Sequence, residues 1–244
     1  MKRLLPAFIV LILFLGCGGN GDGGNGGPGP MGADACFPLQ IGNWWTYAGG
    51  EIDALGDSIP GSAYTMFTQV IGDTSISGQD YYVLQDSSNA SGFWETEIAQ
   101  LAQISENAVI FLMSFFEDTV QLQRAVMGIL PATIGDDWTV LNLDTIALTS
   151  EGDTLNLSLT WIGTVLDYAS LSVPAGNFDD CYHLGYTMDF EISTPDTTIA
   201  YQMESKIWLA PHVGLTKMTQ LPYEGPDGPE PGDYQELLEY SVAP

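Results

Sequence analysis

The run T-L-N-L-S-L-T-W-I from Thr154 to Ile162 alternates apolar and polar residues. Leu155, Leu157 and Leu159 fall on one side of an extended chain, and the polar residues between them fall on the other. The run therefore predicts a strand with one buried and one solvated face, as antiparallel sheets allow.

Strand-forming residues recur along the rest of the chain, whereas strong helix formers at helical spacing are few. The sequence predicts an all-β, mainly antiparallel domain whose hairpins form a curved sheet or an open half-barrel. The segment WETEIAQLAQ, residues 94–103, leaves a short helix open, because Ile98, Leu101 and Ala102 fall at helical spacing. Residues 224–233 are predicted as a proline-rich acidic loop, and Tyr234 to Val242 as a closing edge strand.

The pattern P-x-x-I-G-x-x-W-T occurs twice, at residues 38–46 and 131–139. Each copy is followed about forty residues later by a turn and an aromatic strand, at residues 76–84 and 173–184. We interpret the repeat as two duplicated β-meander units, residues 36–129 and 130–242. In each copy the Ile-Gly pair would make a tight turn, and the Trp would fill the core.

The N-terminus has the features of an export signal. Lys2 and Arg3 precede an apolar stretch from Leu4 to Leu15, which is too short to span a bilayer, since about 20 residues are needed. The stretch ends in F-L-G-C, which resembles the lipobox of bacterial lipoproteins, with Phe14 where leucine is usual. The resemblance implies that residues 1–16 are removed and that Cys17 is lipidated.

A glycine-rich segment follows, and residues 17–35 are predicted to be the lipidated cysteine and a flexible tether. By random-coil scaling the tether would hold the β-rich domain, residues 36–244, about 20 Å from the membrane. Gly18, rather than aspartate, follows Cys17. By comparison with other lipoproteins this implies the outer membrane in a host with two membranes, or the cell surface in a host with one.

The mature chain is strongly acidic. Removal of the signal leaves three basic residues against 31 acidic ones, so the net charge goes from −26 to −28. Such a charge repels nucleic acid and anionic lipid head groups, so we expect no nucleic-acid partner and a domain that stands clear of the bilayer. The chain has no D-x-[DN]-x-[DN]-G loop, so a calcium site has no motif in its favour.

Two cysteines remain after Cys17. Cys36 and Cys181 form an even pair in a chain expected to enter an oxidising compartment, where a disulfide between them would join the start of the domain to a late strand. The alternative is two separate buried thiols, since cysteine is often a small core residue.

No arrangement of residues indicates a reaction. His183 and His212 lack metal-ligand spacing, and the chain has no nucleophile elbow, P-loop or dinucleotide-binding motif. Glu95 with Glu97, or Asp136 with Asp137, could serve as glycosidase carboxylates, but among 31 acids some pairs will always be adjacent. We therefore predict no catalytic, cofactor-binding or metal-binding residues, and no cofactor.

The basic, histidine and aromatic residues are expected to have structural roles. Lys217 is predicted to form an ion pair with an acidic neighbour, and each histidine to be an ordinary core or loop residue. The aromatic residues are expected to fill the core, with a cavity wall or a carbohydrate-stacking face as the alternative. They are Trp44, Trp94, Trp161, Trp208, Tyr81 and Tyr82.

Three ordered stretches resemble an uncharacterised family of bacterial exported proteins. They are FPLQIGNWWTY at residues 37–47, VPAGNFDDCYHL at residues 173–184 and WLAPHVGLTK at residues 208–217. In this chain Leu209 and His212 replace the tyrosine and glycine usual in the family. The resemblance implies export and a fold similar to the half-barrels of periplasmic lipoprotein carriers, and it implies no reaction.

These observations favour a lipid-anchored envelope lipoprotein with a non-catalytic binding or assembly role. Its expected contacts are the membrane, through the lipid on Cys17, and an envelope protein or hydrophobic ligand. Two alternatives stay open at this point. One is a carrier that holds a lipid in the concave face of the sheet, and the other is a glycan-active enzyme with two carboxyl groups in a cleft, one of raised pKa.

Overall fold

The computed structural model describes residues 31–113, 122–148, 154–194, 197–226 and 228–243. The predicted signal peptide, Cys17 and most of the tether lie outside these residues. Within them, no helix has the length and apolar character needed to cross a membrane.

The described residues form one short helix, α1 (Ala33–Cys36), and fourteen strands. The strands are β1 (Trp44–Ile52), β2 (Tyr64–Ile76), β3 (Gln79–Ser88), β4 (Glu95–Ser105), β5 (Ala108–Met113), β6 (Gln123–Ile129), β7 (Asp137–Leu148), β8 (Thr154–Val173), β9 (Gly176–Ser193), β10 (Thr198–Ala210), β11 (Gly214–Gln220), β12 (Tyr223–Gly225), β13 (Gly228–Glu230) and β14 (Gly232–Ser241).

Twelve of the described strands form one antiparallel sheet, in the order β6-β5-β4-β3-β2-β1-β14-β11-β10-β9-β8-β7. It consists of two meanders, which meet where β1 pairs with β14. The prediction of a closing edge strand at Tyr234 to Val242 is therefore wrong in its position, because β14 pairs with β1 on one side and with β11 on the other. The sheet curves until its two edge strands face each other. The indole Nε1 of Trp138 on β7 donates to the carbonyl of Val126 on β6 over 2.9 Å, and the hydroxyl of Tyr186 donates to the carbonyl of Met127 over 2.6 Å. The predicted all-β, strongly curved antiparallel sheet is thus confirmed, nearly closed into a barrel-like shape.

The core fills the concave face of the sheet. On β9 the residues from Tyr182 to Phe190 alternate between buried and partly or fully exposed positions, as the period-2 pattern requires. The largest fully buried side chains include Trp45, Tyr47 and Trp161. Leu157 and Leu159 of the alternating run at residues 154–162 also face this core.

The first copy of the repeated pattern makes a tight turn before β1. Gly42 has a φ of +96°, which favours glycine, and its N–H donates to the carbonyl of Val70 over 2.8 Å. The N–H of Val70 donates back to the carbonyl of Asn43 over 2.9 Å. Trp45 then enters β1 and is fully buried, with its Nε1 donating to the carbonyl of Val213 over 2.9 Å.

The second copy has the same geometry before β7. Gly135 has a φ of +89° and its N–H donates to the carbonyl of Val165 over 2.9 Å. The N–H of Val165 donates back to the carbonyl of Asp136, also over 2.9 Å, and Trp138 is buried. The repeated sequence therefore specifies one repeated turn, whereas the duplication of whole meanders stays a prediction.

The structure decides between strand and helix for one segment and corrects the loop predicted for another. The segment WETEIAQLAQ contributes to strand β4 rather than to a helix, because it pairs with β3 on one side and β5 on the other. Part of the predicted loop at residues 224–233 forms the small hairpin β12–β13, which is anchored by Tyr223 packing on Tyr201 with ring centroids 5.7 Å apart.

The chain is already packed on the domain at Met31, whose carbonyl accepts from the Tyr182 hydroxyl over 3.0 Å. Ala33 and Cys36 of α1 are buried, and the carbonyl of Ala35 accepts from the N–H of His212 over 3.1 Å. Met31, Ala33 and Ala35, at the end of the predicted tether, thus pack on the folded domain.

Candidate functional site

A pocket of about 480 Å³ opens beside the loop that joins β1 to β2. This β1–β2 pocket is bounded by that loop and by the facing side chains of β1, β2, β3, β11 and β14. Its lining residues are Glu51, Ile59, Pro60, Gly61, Ser62, Tyr64, Met66, Ser88, Ala90, Met218, Asp233 and Gln235. The volume lies in the range of small-molecule sites.

Strand register aligns the polar side chains of the pocket. Gly49 on β1 is paired with Tyr64 on β2 and with Gln235 on β14. Two residues after Gly49 on β1, Glu51 is paired with Asp233 on β14. Because residues two apart on a strand share a face, these side chains project from the same side of the sheet. Gly49 leaves the space that the Tyr64 ring occupies, since a Cβ there would lie 2.6 Å from Cε2 and 2.7 Å from the hydroxyl oxygen of Tyr64.

A directed chain of hydrogen bonds runs through the pocket wall. Gln235 Nε2 donates to the hydroxyl oxygen of Tyr64 over 2.8 Å, and the Tyr64 hydroxyl donates to Asp233 Oδ1 over 2.8 Å. Gln235 is 2% exposed, and its Oε1 has no hydrogen-bond partner among the described residues. Such an acceptor is costly to bury, so the wall is incomplete as it stands.

The surroundings of Asp233 disfavour the ionised form of its carboxyl group. Burial raises its pKa to about 7, the hydrogen bond from Tyr64 opposes the rise, and the nearby charge of Glu51 adds to it. Burial and Asp233 together raise the pKa of Tyr64 far above its ordinary value, so the phenol remains a donor at any physiological pH. The pocket therefore contains a carboxyl group that titrates near neutrality.

Further polar side chains are buried in the same curved sheet. Thr68 Oγ1 donates to Asp86 Oδ1 over 2.5 Å, and Gln220 and Ser205 face each other as cross-strand partners on β11 and β10. Gln220 is also paired with Asp233. A polar layer thus continues into the interior from the pocket, whereas most of the core is apolar.

Exposed apolar side chains lie on the two loops that contribute to the pocket. Leu55 belongs to the loop between β1 and β2, and Phe93 and Trp94 belong to the loop between β3 and β4. Trp94, offered by the sequence as a core or stacking residue, is 59% exposed.

The disulfide considered for Cys36 and Cys181 is not formed, and both side chains are buried thiols. Tyr182, the neighbour of Cys181 on β9, contacts the N-terminal segment that carries Cys36 through its hydrogen bond to the Met31 carbonyl. The Cys181 thiol donates to the carbonyl of Phe178 over 3.6 Å, and burial, with Asp179 and Asp180, raises its pKa to about 11. The alternative of two separate thiols describes the structure, and Cys17 lies outside the described residues.

The predicted ion pair of Lys217 is present on the outer face. Lys217 Nζ lies 2.8 Å from Glu236 Oε1 and 5.7 Å from the centroid of the Trp208 ring. His183 stacks on the same Trp208 ring, with the two ring centroids 4.3 Å apart, and its Nδ1 lies 3.1 Å from Asp167 Oδ1. His212 is an exposed residue of the turn between β10 and β11. Neither histidine lines the β1–β2 pocket.

The other residues singled out from the sequence also lie away from the pocket. Asp136 accepts from the backbone N–H of Thr133 over 2.7 Å and stabilises the repeated turn, while Glu95 is exposed on β4. The side chain of Glu97 is not among the described ones. Trp161 and Tyr81 are core residues, as expected, and Trp44 packs against Phe67 with centroids 5.8 Å apart.

The sequence reasoning missed Glu51, Tyr64, Asp233 and Gln235 as site residues. The sequence predicts Asp233 to lie in an acidic loop, and Glu51 is one of 31 acidic residues. The available signal was weak: Glu51 follows two glycines and Asp233 follows Gly232, and each glycine makes room for a neighbouring strand or ring. In the part of the chain that the structure describes, no three histidine, cysteine or acidic side chains gather as metal ligands do.

No protein-family model matches the chain, and the comparison with curated proteins gives no match. Two solved structures match the chain over 84% of its length. A provisionally assigned lipoprotein from Parabacteroides distasonis has a TM-score of 0.53 at 15% identity, over 84% of this chain and 98% of its own. A provisionally assigned exported protein with a YmcC-like fold, from Bacteroides fragilis, has a TM-score of 0.47 at 17% identity, with the same coverage. The first similarity shows a shared fold.

Proposed function

We propose that the protein is a lipid-anchored envelope lipoprotein whose domain binds a ligand in the β1–β2 pocket without turning it over. The observation that carries the binding role is the pocket itself, in which the buried Gln235 has an acceptor oxygen without a partner among the described residues. A buried acceptor left in this state is satisfied when a ligand donates to it.

The anchor is supported by the sequence of the first 32 residues, which join an export signal, Cys17 and a glycine-rich tether. The related fold of a provisionally assigned lipoprotein from Parabacteroides distasonis agrees with it. Because Gly18 follows the lipidated cysteine, we place the protein at the outer membrane of a host with two membranes, or at the surface of a host with one.

The anchor is tested by feeding a bacterial host an alkyne-bearing fatty acid and separating membrane from soluble fractions. The unaltered chain should take up the label and sediment with membranes, whereas Cys17→Ser should be unlabelled and no longer retained by a lipid. Cys181→Ser is the matched control and should remain labelled. Equal labelling of the Cys17→Ser variant would remove the proposal.

The binding role is tested by native mass spectrometry of the full mature chain purified from the envelope. We expect an added mass that is lost in Asp233→Asn and retained in Glu239→Gln, an exposed acid on the same strand β14. A bare polypeptide mass in the unaltered protein, together with no binding of any envelope extract, would contradict it.

A glycan-active enzyme is the second candidate, because Asp233 has a raised pKa beside Glu51. A protonated acid next to a carboxylate is the pair that glycosidases use. However, Glu51 and Asp233 are direct cross-strand partners and project from one wall, whereas glycosidase acids flank the scissile bond. Hydrolysis of an envelope glycan that is abolished by Asp233→Asn would favour the enzyme.

A lipid carrier is less well supported by the concave face of the sheet. Trp45, Tyr47 and Trp161 fill that face and are almost fully buried. The β1–β2 pocket includes two acidic side chains, which an acyl chain would desolvate without compensation.

A further inference from the structure

Resting on the binding role proposed above, we infer that the β1–β2 pocket recognises a primary ammonium group carried on an aliphatic stem. The inference follows from the direction of the hydrogen bonds in the pocket wall, the sign of its charges and the apolar residues that share the lining.

Most of the polar groups left over in the wall are acceptors; the exception is the Ser88 hydroxyl, which accepts from the Ala90 N–H over 3.2 Å and can still donate its own hydrogen. The Tyr64 hydroxyl uses its hydrogen on Asp233 Oδ1, and Gln235 Nε2 donates to Tyr64. What remains is Gln235 Oε1, which is buried and unpartnered among the described residues, the second oxygen of Asp233, and the carboxylate of Glu51. A ligand that completes this wall must donate hydrogen bonds.

The number of donors favours an ammonium group. A primary ammonium carries three N–H donors and no acceptor, which matches three acceptor groups on Glu51, Asp233 and Gln235. A hydroxyl ligand has one donor, and its oxygen would face further acceptors. Hydrogen bonds to charged groups are also about twice as strong as neutral ones.

The charge of the pocket favours a cation. Its lining includes two acidic side chains, Glu51 and Asp233, and no lysine or arginine. Lys217, the nearest basic residue on β11, is engaged with Glu236 on the outer face. Burial and Glu51 hold the pKa of Asp233 near 7, and a bound cation would favour its ionised form.

The apolar part of the lining favours a stem. Met66 and Met218 lie on the wall, and Ile59 and Pro60 lie on the loop. Methionine side chains adapt to ligands of irregular shape. A volume of about 480 Å³ holds far more than one ammonium group, so an aliphatic chain would occupy the remainder.

A divalent metal fits the pocket less well. Calcium takes six to eight oxygen ligands, of which several are usually carboxylates. Here Tyr64 already occupies Asp233 Oδ1, and the described residues contain no cluster of three or more potential metal-ligating side chains. The ammonium could come from a free alkylamine or from a lysine side chain of a partner protein, and both present the same chemistry.

The test is calorimetric titration of the full mature chain at pH 8 with three probes of similar length: pentylammonium, hexanoate and pentanol. We expect saturable binding of pentylammonium only. Asp233→Asn should weaken it at least tenfold, and Glu51→Gln should weaken it to a lesser degree. Glu239→Gln removes one exposed acid from the same strand, and binding should be unchanged.

The controls separate the pocket from the diffuse negative charge of the chain. Thermal unfolding of each variant checks that the domain is folded, and Tyr64→Phe provides a second variant that loses the hydrogen bond to Asp233 while keeping the ring. Equal binding by Asp233→Asn and Glu239→Gln would overturn the inference, as would saturable calcium binding in place of pentylammonium.

Two further measurements identify the source of the ammonium group and distinguish a failure of the ammonium specificity from a failure of the binding role. Nα-acetyl-lysine amide that binds as well as pentylammonium supports a lysine side chain, and binding of pentylammonium alone supports a free amine. A neutral or anionic mass co-purifying with the envelope protein, lost in Asp233→Asn, would leave the binding role intact and overturn the ammonium specificity.

Discussion

The phenol ring of Tyr64 covers Gly49, its cross-strand partner on β1, and it does so where no side chain could fit beneath it. Aromatic residues often cover a glycine of a neighbouring strand in this way. Here the cover also fixes the Tyr64 hydroxyl 2.8 Å from Asp233 Oδ1, so a backbone feature of β1 positions the carboxyl group of the pocket.

We therefore expect Gly49→Ala to displace the Tyr64 ring and break its hydrogen bond to Asp233. The free energy of unfolding should fall by about 1–3 kcal/mol, as overpacking does, and ligand binding should weaken at least tenfold. Gly72→Ala on β2 is the matched control, since its Cβ would meet no described atom within 4 Å. Urea unfolding and ligand titration check both variants. Equal behaviour of the two would show that the contact does not position Tyr64.

Asp233 should make stability depend on pH. Its folded pKa of about 7 exceeds the ordinary value of 3.8, so between these values the folded state binds more protons than the unfolded one. The contribution of Asp233 to the free energy of unfolding is therefore complete below pH 4 and is lost as the pH rises through 7. A full shift of this size corresponds to at most about 4 kcal/mol.

The measurement is urea unfolding from pH 4.5 to pH 8.5. The difference in stability between the unaltered protein and Asp233→Asn should shrink with rising pH and become constant above pH 8, because asparagine does not ionise. The difference between the unaltered protein and Glu239→Gln should follow no such course. Parallel curves for the unaltered protein and Asp233→Asn would show that Asp233 titrates normally.

The repeated turn should respond alike in its two copies. Gly42 and Gly135 have φ values of +96° and +89°, where a side chain is strained, so Gly42→Ala and Gly135→Ala should each lower the free energy of unfolding by about 1–3 kcal/mol. Gly72→Ala, at a position with ordinary φ, should change it by about 0.5 kcal/mol or less. Chemical denaturation measures all three. A large loss in one copy with none in the other would mean that the turns are not equivalent.

The two described cysteines should behave as thiols. Alkylation of the denatured chain without reductant should modify both Cys36 and Cys181, because neither forms a disulfide. In the folded domain at pH 8, Cys181 should react slowly, since burial raises its pKa to about 11 and little thiolate forms. Intact mass after alkylation measures the count, with prior reduction as the control. A mass two protons lighter, unmodified until reduced, would restore the disulfide.

The strands were predictable because half-buried strands have a period of two, which Leu155, Leu157 and Leu159 display directly. The turn of the repeat was predictable for a different reason. Glycine readily adopts the positive φ that a tight turn needs, and it occurs at the same place before a tryptophan in both copies. The pocket was not predictable, because Glu51 and Asp233 are 182 positions apart and become neighbours only when β1 pairs with β14. A single sequence gives no sign of this pairing, as neither residue belongs to a local motif.

The disulfide shows a further limit of sequence reasoning. Two cysteines in a chain with a predicted export signal have the right number for a bridge, but a bridge also needs the two Cβ atoms close together and pointing toward each other. In the structure it is Tyr182, next to Cys181, that contacts the N-terminal segment. That choice depends on register, which composition and spacing leave undetermined.

The pairing of β1 with β14 has a consequence for the export that we propose for this chain. Strand β1 begins at Trp44 and its partner β14 ends at Ser241, so the sheet lacks its central seam until almost the whole polypeptide has emerged. Contacts between such distant segments form slowly, because a long loop must close before any of them is made. A chain that crosses a membrane N-terminus first could not complete its sheet before β14 reaches the far side. The part still to be translocated would therefore stay unfolded, and folding would be completed when β14 pairs with β1.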